Sequence, residues 1–139
     1  MALENYLGKK AQFAKTISEF DIYSFAGITG DFNPVHVNEE VAKKSRFGKR
    51  IAHGMLSASF ICTALGTKLP GEGTIHIKQE LEFLRPVFIG DTITVQLEVL
   101  EIVGEKKYLK IASQIYNQHN ELVVDGFSIV KAPKEVHEI

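Results

Sequence analysis

The sequence predicts an α+β fold, an antiparallel β-sheet wrapped around one central helix, and three features carry that prediction. The second half of the chain alternates apolar and polar residues with a period of two. Its strands are joined by connections too short for parallel crossovers, and a 12-residue stretch before them is apolar on nearly every face.

The elements follow in chain order. Residues 11–17 supply a candidate first strand. Ser18 can cap a helix whose Phe20, Ile22, Phe25, Ala26 and Ile28 recur at three- and four-residue steps, ending near Gly30. Asn38, followed by Glu39 and Glu40, can cap a second short helix to about Lys44, with the acidic pair at its positive end. Residues 54–65 form the apolar helix, stopped by Gly66, and its all-round hydrophobicity requires burial. Its hydroxyls, Ser57, Ser59 and Thr63, can be satisfied by carbonyls one turn back.

Beyond Gly73 the period changes. Ile75, Ile77, Leu81 and Phe83 alternate with His76, Lys78, Glu80 and Glu82, as in a half-buried strand. Residues 93–99, 109–115 and 122–130 give three more, with turns at Gly104-Glu-Lys and Gln118-His-Asn. A sheet with one apolar face needs a cover, and the 54–65 helix is the candidate. Strands wrapped around one helix make the architecture called a hot dog, and a sheet with helices stacked outside fits the same pattern.

The 139 residues, 45% apolar and 24% charged, suit one domain over 1–139. A net charge of −1 gives no electrostatic reason to expect nucleic acid or an anionic membrane as partner. No window approaches the ~20 apolar residues that cross a bilayer. The single cysteine excludes an internal disulfide, and the start lacks the features of a signal peptide, so a cytoplasmic setting is expected. Residues 134–139 are short, charged and expected to be loose.

The chemistry concentrates in Phe25-Ala-Gly-Ile-Thr-Gly-Asp31-Phe-Asn33-Pro34-Val-His36. Asp31 and His36 are five positions apart, which on a regular helix separates them by roughly 140°. Gly30 permits a turn, and Pro34 pushes Asn33 toward extended geometry, so irregular backbone can bring the carboxylate and imidazole together. The alternative is a capped turn beside a core histidine. A metal site on Asp31, Asn33 and His36 is disfavoured, because the sequence offers no other close histidine or cysteine and an amide is a poor ligand. Gly54 opens the apolar helix, where a free N–H and the positive helix end coincide. His53 is a second functional group or, the favoured reading, packs ahead of that helix, and Cys62 is expected to be an inert buried thiol. Lys43, Lys44, Arg46, Lys49 and Arg50 form the one dense basic patch. It can meet phosphates or be a solvated loop.

These residues resemble the MaoC-like hydratases and dehydratases, a family that includes (R)-specific enoyl-CoA hydratases. Phe25, Thr29-Gly30-Asp31, Asn33-Pro34-Val35-His36 and Ala42 fill the family signature. Ala52-His53-Gly54-Met55, Phe83-Leu-Arg-Pro-Val and Gly90-Asp91 look like its later landmarks. The resemblance implies a hot-dog homodimer that adds water reversibly to a trans-2-enoyl-CoA, giving an (R)-3-hydroxyacyl-CoA. Asp31 and His36 would hold the water, with His36 favoured as base, the Gly54 N–H would meet the thioester carbonyl, and Asn33 would support the loop or form a plain turn. No metal or redox cofactor is implied, since CoA enters with the substrate. The alternatives are a (3R)-hydroxyacyl dehydratase acting on acyl carrier protein, or a non-catalytic acyl-CoA-binding module. Some relatives carry a hydroxyl near position 62 that supports the dyad, and Cys62 departs from them.

Overall fold

A computed structural model describes residues 2–134. The expected loose tail from Lys134 lies, after its first residue, outside the described residues. A 3-10 turn (Leu3–Tyr6) leads into β1 (Lys10–Thr16), then α1 (Glu19–Thr29), α2 (Pro34–Val37), α3 (Glu39–Lys43) and α4 (Gly54–Thr67). Four strands complete the chain: β2 (Ile75–Phe83), β3 (Thr92–Val103), β4 (Tyr108–Tyr116) and β5 (Leu122–Lys131).

All pairings are antiparallel, and the order β1-β3-β4-β5-β2 leaves β1 and β2 at the edges. Alternate residues of β3 and β4 (Ile93, Val95, Leu97, Val99; Leu109, Ile111, Ile115) are buried on one face, against which α4 packs through Leu56, Ile61 and Leu65. This is the hot-dog arrangement, a sheet curved around α4. No helix among the described residues is long and apolar enough to cross a membrane.

The caps read from sequence are in place. Ser18 Oγ accepts from Asp21 N–H while the Asp21 carboxylate accepts from Ser18 N–H, a reciprocal box, and α1 ends at Gly30 with φ +81°. Asn38 caps α3. Gly66, expected as a stop, lies inside α4, which runs one residue further to Thr67.

Three expectations about burial fail, each for a physical reason. The helix α4 is not covered all round: Met55 is 60% exposed and Cys62 is exposed, because the five strands of one chain cover only one side of it. In β2, Ile75 and Ile77 do not share the inner face with Leu81 and Phe83. A bulge between His76 and Lys78 shifts the register, so His76 opposes buried Val130 and Gln79 opposes buried Ser128, while both isoleucines face outward. The third concerns Arg50 alone of the basic patch, since Lys43, Lys44, Arg46 and Lys49 are exposed as the solvated-loop reading has them. Arg50 is buried, bonded to Glu19, to Glu39 (3.1 Å) and to the Tyr23 hydroxyl (2.9 Å), and it clamps α1 to α3 instead of facing phosphate. Lys43 pairs with Glu40, Lys49 lies over the Phe88 ring, Lys44 is exposed, and Arg46 lines the cavity described below.

Candidate active site

Asp31 lies just past the left-handed end of α1, on the two-residue approach to α2. Thr29 Oγ1 accepts from Asp31 N–H, which holds the Asp31 backbone, and an Asp31 carboxylate oxygen accepts from Asn33 N–H at 3.1 Å, which fixes the carboxylate. Asn33 caps α2 by accepting from Val35 N–H, and Pro34 follows at the first helical position, where its missing N–H costs nothing. Of the two roles offered for the Asn33 side chain, the structure shows the turn.

The single turn of α2 carries His36, which is buried. Its Nδ1 is 2.7 Å from Ile51 O. A carbonyl oxygen only accepts, so Nδ1 bears the proton and Nε2 is left with the lone pair. Burial pushes the His36 pKa below its ordinary value, His53 lowers it further, and the Ile51 bond and Asp31 oppose the shift. The ring is therefore a neutral imidazole at pH 7, with one basic nitrogen.

The segment that bears Ile51 is pinned from both sides. Ile51 N–H donates to Val35 O, and Ala52 N–H donates to Val87 O at 2.7 Å. Next in the chain, His53 is 2% exposed and caps α4 without a side-chain cap bond. It packs as expected, between Phe25 (centroids 4.9 Å) and His36 (3.9 Å, stacked). It also does more than pack: His53 Nε2 is 2.9 Å from Asp31 O, to which it donates, and its Nδ1 is buried without a partner among the described residues.

One ligand atom from each of Asp31, His36 and His53 lies within 4.8 Å of the others. The premise that no further histidine is close is thus corrected by the fold, which brings position 53 to positions 31 and 36. Two imidazoles and a carboxylate are a set that divalent metals accept. Sequence reasoning preferred packing for His53 over a functional role because residues 17 and 22 positions distant in the chain meet only through the pinned 50–53 segment. Its place immediately before Gly54 was the available signal.

Gly54 begins the 14-residue α4, and its N–H is among the first-turn donors with no intrahelical acceptor. A side chain there would approach Phe83 Cδ1 and Cε1 to 3.0 Å, so the position is kept open. Gly54, Ser57, Phe83, Val87, Arg46 and Arg85 line a cavity of about 230 Å³. Ser59 follows the expected back-bonding, to Leu56 O at 2.6 Å. Ser57 does not: its hydroxyl is buried and has no partner among the described residues. Cys62, expected buried, is exposed, and its Sγ is 3.4 Å from His76 Nδ1.

Comparison with known proteins agrees with this geometry. The MaoC-like domain profile matches residues 3–121. The chain is 48% identical over 126 residues to an (R)-specific enoyl-CoA hydratase of Rhodospirillum rubrum, covering 91% of this chain and 87% of the relative. It is 45% identical over 121 residues to a 3-hydroxybutyryl-CoA dehydratase of Methylorubrum extorquens, covering 87% and 76%. The fold superposes on an unliganded R-hydratase of Pseudomonas aeruginosa with a TM-score of 0.88 and 45% identity, covering 93% of this chain and 83% of the other. With the signature loop, the pinned histidines and the open glycine at the head of the central helix all in place, the chain belongs to the MaoC-like domain family.

Proposed function

We propose that the protein is an (R)-specific enoyl-CoA hydratase, adding water reversibly to a trans-2-enoyl-CoA to give an (R)-3-hydroxyacyl-CoA. The observation that carries this reading is the tautomer of His36: a neutral ring with Nδ1–H spent on Ile51 O and a basic Nε2, in one cluster with the Asp31 carboxylate. His36 Nε2 takes a proton from water as the oxygen attacks C3, and Asp31 orients that water by accepting its other hydrogen. The resulting imidazolium carries the proton that C2 requires. Charge that develops on the thioester oxygen meets the Gly54 N–H at the positive end of α4. Water addition moves no electrons to an acceptor, so the reaction so drawn involves no redox cofactor; His36, Asp31 and the Gly54 N–H supply its base, water contact and oxyanion donor, and CoA is part of the substrate.

The reading includes a homodimer joined at β2. That strand is nine residues long, pairs only with β5 among the described residues, and exposes Ile75 and Ile77, while Met55 is exposed on the uncovered side of α4. An unprotected apolar edge of this length is a template for pairing with a second copy. Sedimentation at a single monomer mass would refute it.

The activity is tested by incubating the protein with crotonyl-CoA and following loss of enoyl absorbance, with a carrier-protein thioester in parallel. Asp31→Asn and His36→Gln should each lower turnover by ~10²-fold or more while the fold persists. Binding without turnover would leave an acyl-CoA-binding module. Preference for the carrier-protein substrate would make the enzyme a dehydratase of fatty-acid synthesis type.

A further inference from the structure

We infer that Ser57 is a second hydrogen-bond donor to the thioester oxygen, completing with the Gly54 N–H a two-donor oxyanion site, an inference that rests on the hydratase reading above. Ser57 is 1% exposed, and its Oγ has no partner among the described residues. A buried hydroxyl left in that state is unfavourable, and α4 shows how easily it could be avoided. Ser59 bonds Leu56 O at 2.6 Å, and Thr67 bonds Thr63 O at 2.7 Å. For Ser57 the carbonyl one turn back belongs to His53, which already accepts from Leu56 N–H and Ser57 N–H. Its hydroxyl makes no local hydrogen bond, and Ser57 lines the cavity that Gly54 also lines.

The helix geometry aims the two donors at one place. Ser57 follows Gly54 by three residues, a rise of about 4.5 Å, and side chains on a helix lean toward its N-terminus. The Ser57 hydroxyl therefore overlies the turn that Gly54 opens. Without a base beside it, the hydroxyl is suited to donate a hydrogen bond and not to act as a nucleophile. As water oxygen bonds to C3, the C2–C3 π pair moves between C1 and C2 and charge passes to the carbonyl oxygen. When C2 takes its proton, the charge returns to C2. The Ser57 O–H bond stays intact throughout, and its role is to stabilise the oxygen while that charge is present.

Ser57→Ala removes the donor and replaces an unpartnered polar group with an apolar one of nearly the same size. The variant should therefore melt at or above the wild-type temperature, while kcat for crotonyl-CoA falls by ~10²-fold and KM changes by less than about threefold. The carbonyl stretch of bound, carbonyl-labelled crotonyl-CoA, followed by vibrational difference spectroscopy, should shift toward its free value. A wild-type kcat in Ser57→Ala overturns the inference. So does a fall in kcat with a lower melting temperature and an unmoved carbonyl band, the pattern of a merely structural serine. Wild-type protein that binds crotonyl-CoA without turnover would instead overturn the hydratase reading, and the carbonyl band would then decide separately whether Ser57 meets the thioester.

Discussion

Gly54→Ala separates stability from chemistry. The added methyl would meet two atoms of the Phe83 ring at 3.0 Å and a third at 3.6 Å, so the ring must yield by a few tenths of an ångström. Phe83 is 51% exposed and has room to do so. The small packing loss is opposed by the better helix propensity of alanine, up to about 1 kcal/mol, so the melting temperature should stay close to wild type. Activity should not survive as well. The methyl projects beside the N–H assigned to the thioester oxygen, and loss of such a donor typically costs about 2.7–4 kcal/mol, a fall of roughly 10²–10³ in kcat. The assay pairs a thermal melt with crotonyl-CoA turnover. A variant that melts like wild type and turns over within about threefold of it would refute the placement of the oxyanion at Gly54.

Three further outcomes are expected. Burial holds the His36 pKa below the usual histidine value, so the neutral form that accepts a proton persists below pH 6.5, and the acid limb of kcat/KM should lie on that side. Because His53 also depresses this pKa, His53→Phe should move the limb upward, and an unmoved or lowered limb would contradict the coupling. Gly126→Ala, in β5 opposite Leu81 of β2, would put a methyl 1.9 Å from the Glu80 carbonyl oxygen. Backbone must shift, so denaturant unfolding should show a loss of about 1–3 kcal/mol or more and a weakened β2 edge, whereas wild-type stability would show that the strands do not approach so closely. Arg50→Met removes charged hydrogen bonds that join α1 to α3 around the site loop, and should cost about 1.5–3 kcal/mol. A neutral result would mean that the half-exposed Glu19 and Glu39 are as well served by water.

The elements that announce themselves locally were legible. Ser18 and Asn38 carry their capping chemistry in their own side chains, Gly30 carries its own in the lack of one, and β3 and β4 announce themselves by strict alternation. The bulge in β2 was not legible, because Ile75 and Ile77 continue the alternation that the backbone breaks between His76 and Lys78. Arg50 read as one cation among five, and only the approach of Glu19, Glu39 and Tyr23 converts it to a buried clamp. Cys62 read as core because the composition of α4 does not say how far the sheet of one chain extends around it.

Residues close in sequence determined the signature loop, the helix caps and the open glycine at the head of α4, because turns, caps and chain punctuation are set by groups within a few positions of one another. Tertiary structure decided what is set by distant groups. It fixed the His36 tautomer through Ile51 O, brought His53 onto the dyad, and left the Ser57 hydroxyl without a partner among the described residues, in the cavity that Gly54 also lines. Each depends on which carbonyl or ring arrives from another part of the chain, and no local pattern encodes that arrival.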